Sequence, residues 1–255
     1  MKDKKQNKRI NGGHRLLFFC ILCLFGLYVA VSYAEEQPQR EQSKTKVILL
    51  HTDNLTYDQY RHPGAQILTG NVQFQHDGVL MYCDSACFYE ATNSFDAFGH
   101  VKMVQGDTLD LVGDMLLYNG LARVRHNVVL THRESKLYTD SLDYDRLYEL
   151  GYFFEGGKLV DKDNVLTSDW GQYSPPTRQA VFNYNVKLEN PKFTLISDTL
   201  NYNTLTSMAE IVGPSNIDSG DNHIYSESGF YNTQTEEAIL LDRSIVTNKG
   251  RKMVG

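Results

Sequence analysis

An acid followed four residues later by an aromatic recurs along this chain at nearly constant spacing, and no other feature limits the fold as tightly. The pairs are Asp53/Tyr57, Asp84/Phe88, Asp114/Tyr118, Asp140/Tyr144, Asp169/Tyr173, Asp198/Tyr202 and Glu227/Tyr231. Counted back from Tyr231, the aromatics lie 29, 29, 29, 26, 30 and 31 residues apart. The frame around them repeats as well: Phe193 to Ala209 matches Ile224 to Ala238, and Leu166 to Tyr173 matches both. Seven copies at one period define a repeat architecture, whose units bury their apolar faces only against their neighbours.

The unit reads as strand. In an extended chain residues i, i+2 and i+4 share a face, which puts Asp198, Leu200 and Tyr202 on one side and Ser197, Thr199, Asn201 and Asn203 on the other. Leu142 and Tyr144 divide in the same way from Ser141, Asp143 and Asp145. Such alternation argues for a sheet with one apolar and one solvated face. A second strand in each unit is marked by Gly or Asn, then Val, then an apolar residue two further on. Gly70-Asn71-Val72-Gln73-Phe74, Gly99-His100-Val101-Lys102-Met103 and Asn185-Val186-Lys187-Leu188 are examples. Turn formers such as Ser174-Pro175-Pro176 and Asn232-Thr233 separate the two. With two antiparallel strands per unit, equivalent acids such as Asp169 and Asp198 stand about 9–10 Å apart, two strand spacings.

The N-terminus is of another kind. Lys2, Lys4, Lys5, Lys8, Arg9 and Arg15 precede an apolar run from Leu16 to Val31, and Ser32-Tyr33-Ala34 offers the small residues of a cleavage site. Residues 1–34 are read as a secretory signal cut after Ala34. The competing reading is a retained inner-membrane anchor, since the run approaches the ~20 residues that span a bilayer. Residues 35–45 form a polar linker, and the repeat domain covers 46–255. Without the leader the chain carries 19 basic and 30 acidic residues, a net of −11. That balance, with no basic stripe, excludes nucleic acid as a partner.

Chemistry finds little purchase. Cys83 and Cys87 sit four apart on one strand face, about 13 Å, too far for a disulfide without a bulge. The seven acids in register are read as accepting hydrogen bonds from turn amides at the strand entry, because one acid per repeat falls short of the six to eight oxygens calcium takes. No G-x-S-x-G, H-E-x-x-H or phosphate loop is present. The histidines from His51 to His223 fall in different registers, as surface histidines do. The chain is expected not to be an enzyme and to hold no metal or cofactor.

At the repeat core, the run from Asp107 to Asn119 is preceded by Gly99-His100-Val101-Lys102 and followed by Thr139-Asp140-Ser141-Leu142-Asp143-Tyr144-Asp145. It resembles the OstA/LptA family of lipopolysaccharide-transport proteins, most of all the longer OstA-like proteins of Bacteroidetes. The resemblance covers residues 47–255. It implies an all-β, elongated, twisted β-jellyroll of antiparallel strands in the periplasm, here built from about seven repeats of ~29 residues. It also implies the activity: lipopolysaccharide carried toward the outer membrane, its lipid A acyl chains inside the roll. The partners it implies are other transport proteins with the same jellyroll, and further copies stacked head to tail.

The inward positions, read from the alternation, are Leu55, Tyr57, Val72, Phe74, Phe88, Val101, Leu116, Tyr118, Leu142, Tyr144, Val186, Leu188, Leu200 and Tyr202. Alternation alone fits a filled β-sandwich equally well, and then the chain is a structural or adhesive envelope solenoid without a lipid ligand. The resemblance makes these residues the lining of a lipid groove. At the C-terminus an eighth repeat is due where the chain stops, so the roll is expected to be cut or open there. The last strand, near Ala238 to Thr247 with Leu240 and Ile245, is then a bare edge for head-to-tail pairing.

Overall fold

The computed structural model describes residues 45–106 and 109–255. The leader, and the linker save its last residue, lie outside the described residues. The strands are β1 (Ile48–His51), β2 (Asn54–Thr56), β3 (Gln66–His76), β4 (Val79–Tyr89), β5 (Ser94–Gln105), β6 (Leu109–Tyr118), β7 (Leu121–His132) and β8 (Ser135–Asp145). There follow β9 (Leu150–Phe153), β10 (Gly157–Asp161), β11 (Asn164–Ser168), β12 (Trp170–Ser174), β13 (Gln179–Asn190), β14 (Phe193–Asn203), β15 (Met208–Ser219) and β16 (Asn222–Asn232). Three short strands close the series: β17 (Ala238–Leu240), β18 (Ile245–Asn248) and β19 (Arg251–Val254). They form one sheet in which the pairings are antiparallel and neighbours in sequence are neighbours in space. Where the long strand is broken the pieces keep its place: β8 pairs with β9 through Leu142–Asp145 and with β10 through Lys136–Thr139.

The long strands are bent in the middle. Register slips between Thr69 and Val72 in β3, Phe98 and Val101 in β5, Arg125 and Val128 in β7, and Asn183 and Val186 in β13. At the slips the backbone turns left-handed, as at Gly70 (φ +82°), Asn71 (+49°), Gly99 (+74°) and His100 (+42°). Glycine belongs there on two counts: it adopts this φ freely, and a Cβ on Gly70 or Gly99 would overlap the carboxylate of Asp53 or Asp84. Such bulges sharpen the bend and twist of a strand.

A bent strand lies in two layers. The hydroxyl of Tyr118, at the end of β6, lies 2.7 Å from His76 at the end of β3. In a flat sheet three strand spacings, about 14 Å, would separate them. The sheet is therefore rolled, with the strand halves before and after each bulge facing one another. The result is the antiparallel jellyroll expected from sequence, one apolar cluster running from Val47 to Tyr231 between its layers.

Three local readings are corrected here. The Gly/Asn-Val motif is not the start of a second strand but the corner inside one, and the two strands of each unit are both bent. Its bulge shifts the alternation by one residue, so Ser197 points in, Asp198 points out, and Leu200 and Tyr202 point in again. The same slip puts Cys83 inside and turns Cys87 to the opposite face, where it is covered near His62. Both thiols are free.

Candidate functional site

Twelve of the fourteen inward positions are buried: Val72, Phe74, Phe88, Val101, Leu116, Tyr118, Leu142, Tyr144, Val186, Leu188, Leu200 and Tyr202. Leu55 and Tyr57 are not, at 42% and 64% exposed. They belong to the short outer strand β2 and the loop after it, and among the described residues β2 pairs with β3 alone. The interior is aromatic at its centre. Phe74 stacks on Phe95 at 4.1 Å between centroids, and Phe95 stacks on Tyr118 at 5.0 Å. Phe193 meets Tyr231 edge-on at 4.7 Å.

The acids of the repeat lie along the corners, not at strand entries. Asp84 takes a hydrogen bond from His100 (2.7 Å), Asp114 from Asn127 (2.7 Å), Asp169 from Asn185 (2.6 Å) and Asp53 from Asn71 (2.9 Å). Each caps the left-handed residue that lets the neighbouring strand bend. The partner is thus a side chain of the adjacent bulge, where the sequence reading expected a turn amide. Among the described residues no group of His, Cys, Asp and Glu is arranged to hold a metal.

Opposite the corners, the strand ends of the two layers meet along a seam, and there polar side chains cross from one layer to the other. Tyr118 reaches His76 (2.7 Å), Tyr173 reaches His132 (2.9 Å), Tyr202 reaches Asp161 (2.8 Å), and Tyr144 reaches Gln105 (3.4 Å). Asn164 donates to Tyr202 and to Thr233 at 2.9 Å each, and Arg146 pairs with Asp77 at 2.8 Å. Burial pushes the Tyr118, Tyr144, Tyr173 and Tyr202 hydroxyls above the ordinary phenol range. Burial, then the Arg146 guanidinium, holds His76 below its ordinary value, and burial, then Arg178 and Arg133, does the same at His132. Near neutral pH the Tyr118–His76 and Tyr173–His132 pairs are accordingly a neutral phenol hydrogen-bonded to a neutral imidazole.

Two of these histidines correct the reading of scattered surface histidines: His76 is 2% and His132 7% exposed. The missed signal was in the sequence. His76, Gln105, His132 and Asp161 follow one another at 29, 27 and 29 residues, in step with the tyrosines.

The C-terminal edge is partly covered. β19 lies along β18, Ile245 opposite Val254 and Asn248 opposite Arg251, so Ile245 is paired on both sides. Leu240 on β17 pairs with Gly229 of β16 and carries no further strand among the described residues. The bare edge is therefore β17 and the outer side of β19, not β18. Ile239, Leu241, Met253 and Val254 are exposed there, and Ile48, Leu50, Leu55 and Tyr57 at the other end of the roll.

Comparison with known proteins bears on the whole chain. No curated protein matches it. The crystal structure of LptH, the LptA-homologous periplasmic component of the lipopolysaccharide transport device of Pseudomonas aeruginosa, aligns at TM-score 0.22 and 14% identity. That alignment covers 53% of this chain and 83% of LptH. A family model described as OstA-like protein matches residues 44–198 and 194–254. These two matches span the rolled sheet from before β1 into β19, and the chain belongs to the OstA-like family.

Proposed function

We propose that the chain is a periplasmic lipopolysaccharide-transport module, carrying lipid A acyl chains between its two layers toward the outer membrane. One observation carries the reading: a single apolar column runs the length of the roll, and its lateral boundary is a seam of polar side-chain pairs rather than continuous backbone pairing. A boundary of that kind parts without unpairing any strand from its neighbour. Membership of the OstA-like family supports the same reading. The twelve buried inward residues are the lining, and copies or partners of the same fold join at the exposed edge strands.

A filled-core envelope solenoid is the second reading, and one observation favours it. Leu68, Phe74, Leu142, Leu188 and Leu200 are 0% exposed, so no water-sized space lies beside them. A photoreactive side chain placed at Leu142 or Leu200, with Thr199 as the outward control, separates the two. Carriage expects crosslinks to lipopolysaccharide from the inward positions and none from Thr199 in envelope preparations. Absence of lipid crosslinks at every inward position refutes carriage and leaves the filled core.

A further inference from the structure

The seam is not closed throughout. Between the turn after β7 and the turns after β8 and β12 it opens into a cleft of about 290 Å³. Two arginines line it, Arg133 from the turn after β7 and Arg178 from the turn after β12. Other turn bases along the seam are committed: Arg146 to Asp77, Lys192 to Glu236, and Lys162 to Ser207. Arg133 and Arg178 have no ion-pair or side-chain hydrogen-bond partner among the described residues. One carboxylate lines the cleft, that of Glu149, and the side-chain amide of Gln105 already donates to it. His132, on the floor, is occupied by Tyr173. Burial, and after it Arg178 and Arg133, hold His132 below its ordinary value. Leu109 and Tyr144 lead from the cleft into the apolar column.

Two guanidinium groups free of ion pairs, against one carboxylate already hydrogen-bonded to Gln105, give the cleft an excess of positive charge that suits a phosphate, whose oxygens accept paired N–H bonds. The apolar path behind them suits a hydrocarbon chain. We propose that this cleft takes the phosphate head of an amphiphile, Arg133 and Arg178 gripping it from the two layers while its chain runs inward past Leu109 and Tyr144. The proposal rests on the carriage reading and adds the chemistry of the head group and its place on the seam.

Calorimetry on the full chain with three probes tests it: decyl phosphate, decyl maltoside and inorganic phosphate. Wild type is expected to bind decyl phosphate at least about tenfold more tightly than decyl maltoside, the effect of charge-assisted pairing. The Arg133→Asn/Arg178→Asn variant is expected to lose that preference and to keep its affinity for decyl maltoside, which also shows that it has folded. Asparagine suits the left-handed backbone at both positions, φ +56° and +57°. The corresponding double lysine variant is expected to retain part of the preference. An unchanged preference in the asparagine variant overturns the cleft assignment and leaves carriage standing. Inorganic phosphate binding as tightly as decyl phosphate overturns the amphiphile in favour of a free anion. Failure of wild type to bind either amphiphile removes the carriage reading and this proposal together.

Discussion

Tyr202→Phe tests whether the seam holds the two layers together. The hydroxyl donates to Asp161 at 2.8 Å and accepts from Asn164 at 2.9 Å. Asp161 is 1% exposed, and its other side-chain partner is Ser135 at 2.8 Å. Removing one oxygen leaves the ring in place, so no cavity of consequence forms. It deprives a buried carboxylate of one of two donors, and a hydrogen bond to a charged group is worth about 1.5–3 kcal/mol. Loss of about 2 kcal/mol in a domain of this size lowers the melting temperature by about 4–8 °C. Far-UV circular dichroism of the sheet during heating reads this directly. Tyr225→Phe is the control: that hydroxyl bonds the neighbouring Glu227 at 3.0 Å outside the apolar column, and its loss is expected to leave the melting temperature nearly unchanged. In an Asp161→Asn background Tyr202→Phe should cost clearly less, since the acceptor is no longer charged. Equal losses for Tyr202→Phe and Tyr225→Phe, or no coupling to position 161, refute the claim that the seam fastens the layers.

The inward face is tested by Leu142→Asp and Leu200→Asp. Each should cost several kcal/mol, while Thr199→Asp costs little, because an unpaired buried carboxylate is expensive and a solvated one is not; denaturant midpoints decide. At the corner, Gly99→Ala should destabilise by about 1–3 kcal/mol in urea unfolding, being strained at φ +74° and crowded by Asp84. For pH, the folded pKa of His76 and of His132 lies below 6.5, so the unfolded chain takes protons first. Stability is therefore full above 6.5, falls as pH drops through it, and levels off beneath the folded values. A His76→Gln/His132→Gln variant should flatten that fall in melting scans; exposed His100 beside Asp84, its pKa raised, acts weakly in the opposite sense. At the edge, Leu240→Pro should weaken any concentration-dependent association without unfolding β3 to β8, since proline removes one ladder donor locally, and sedimentation measures it.

How far the sequence carried depended on what each pattern measures. Period-two alternation reports which side of a strand is apolar, and twelve inward residues followed from it because each strand half is regular on either side of its bulge. It cannot report a bulge, which adds one residue and inverts the phase, so alternation alone puts Asp198 and Cys87 on the wrong face. The glycine and asparagine at the corners read equally well as strand boundaries, since both uses need the same left-handed backbone. Leu55 and Tyr57 fit the repeat in sequence, yet among the described residues β2 has a paired strand on one side only, and burial is a property of the pair. The seam was hidden for a different reason. His76 and Tyr118 lie 42 residues apart, and only rolling the sheet brings them together. A periodic polar residue at the end of every second strand was its trace.

The closed interior bears on carriage in a specific way. The layers are joined at the corners by covalent chain, and at the seam by hydrogen bonds of side chains rather than by strand pairing, so any opening wide enough for hydrocarbon begins at the seam. A neutral pair such as Tyr118 with His76 contributes about 0.5–1.5 kcal/mol net. Burying a single methylene returns about 0.8 kcal/mol, so one or two methylenes offset each pair that parts. The aromatic stack behind the seam need not be exposed to water, because the hydrocarbon that displaces one neighbour becomes the next. Under the proposed function the number of seam pairs broken then scales with the length of chain admitted. Replacing Tyr118, Tyr173 and Tyr202 together by phenylalanine should therefore raise the affinity for a single-chain amphiphile while lowering thermal stability. Affinity that falls in step with stability would mean that the seam builds the binding surface instead of gating it, and the gating argument would be wrong.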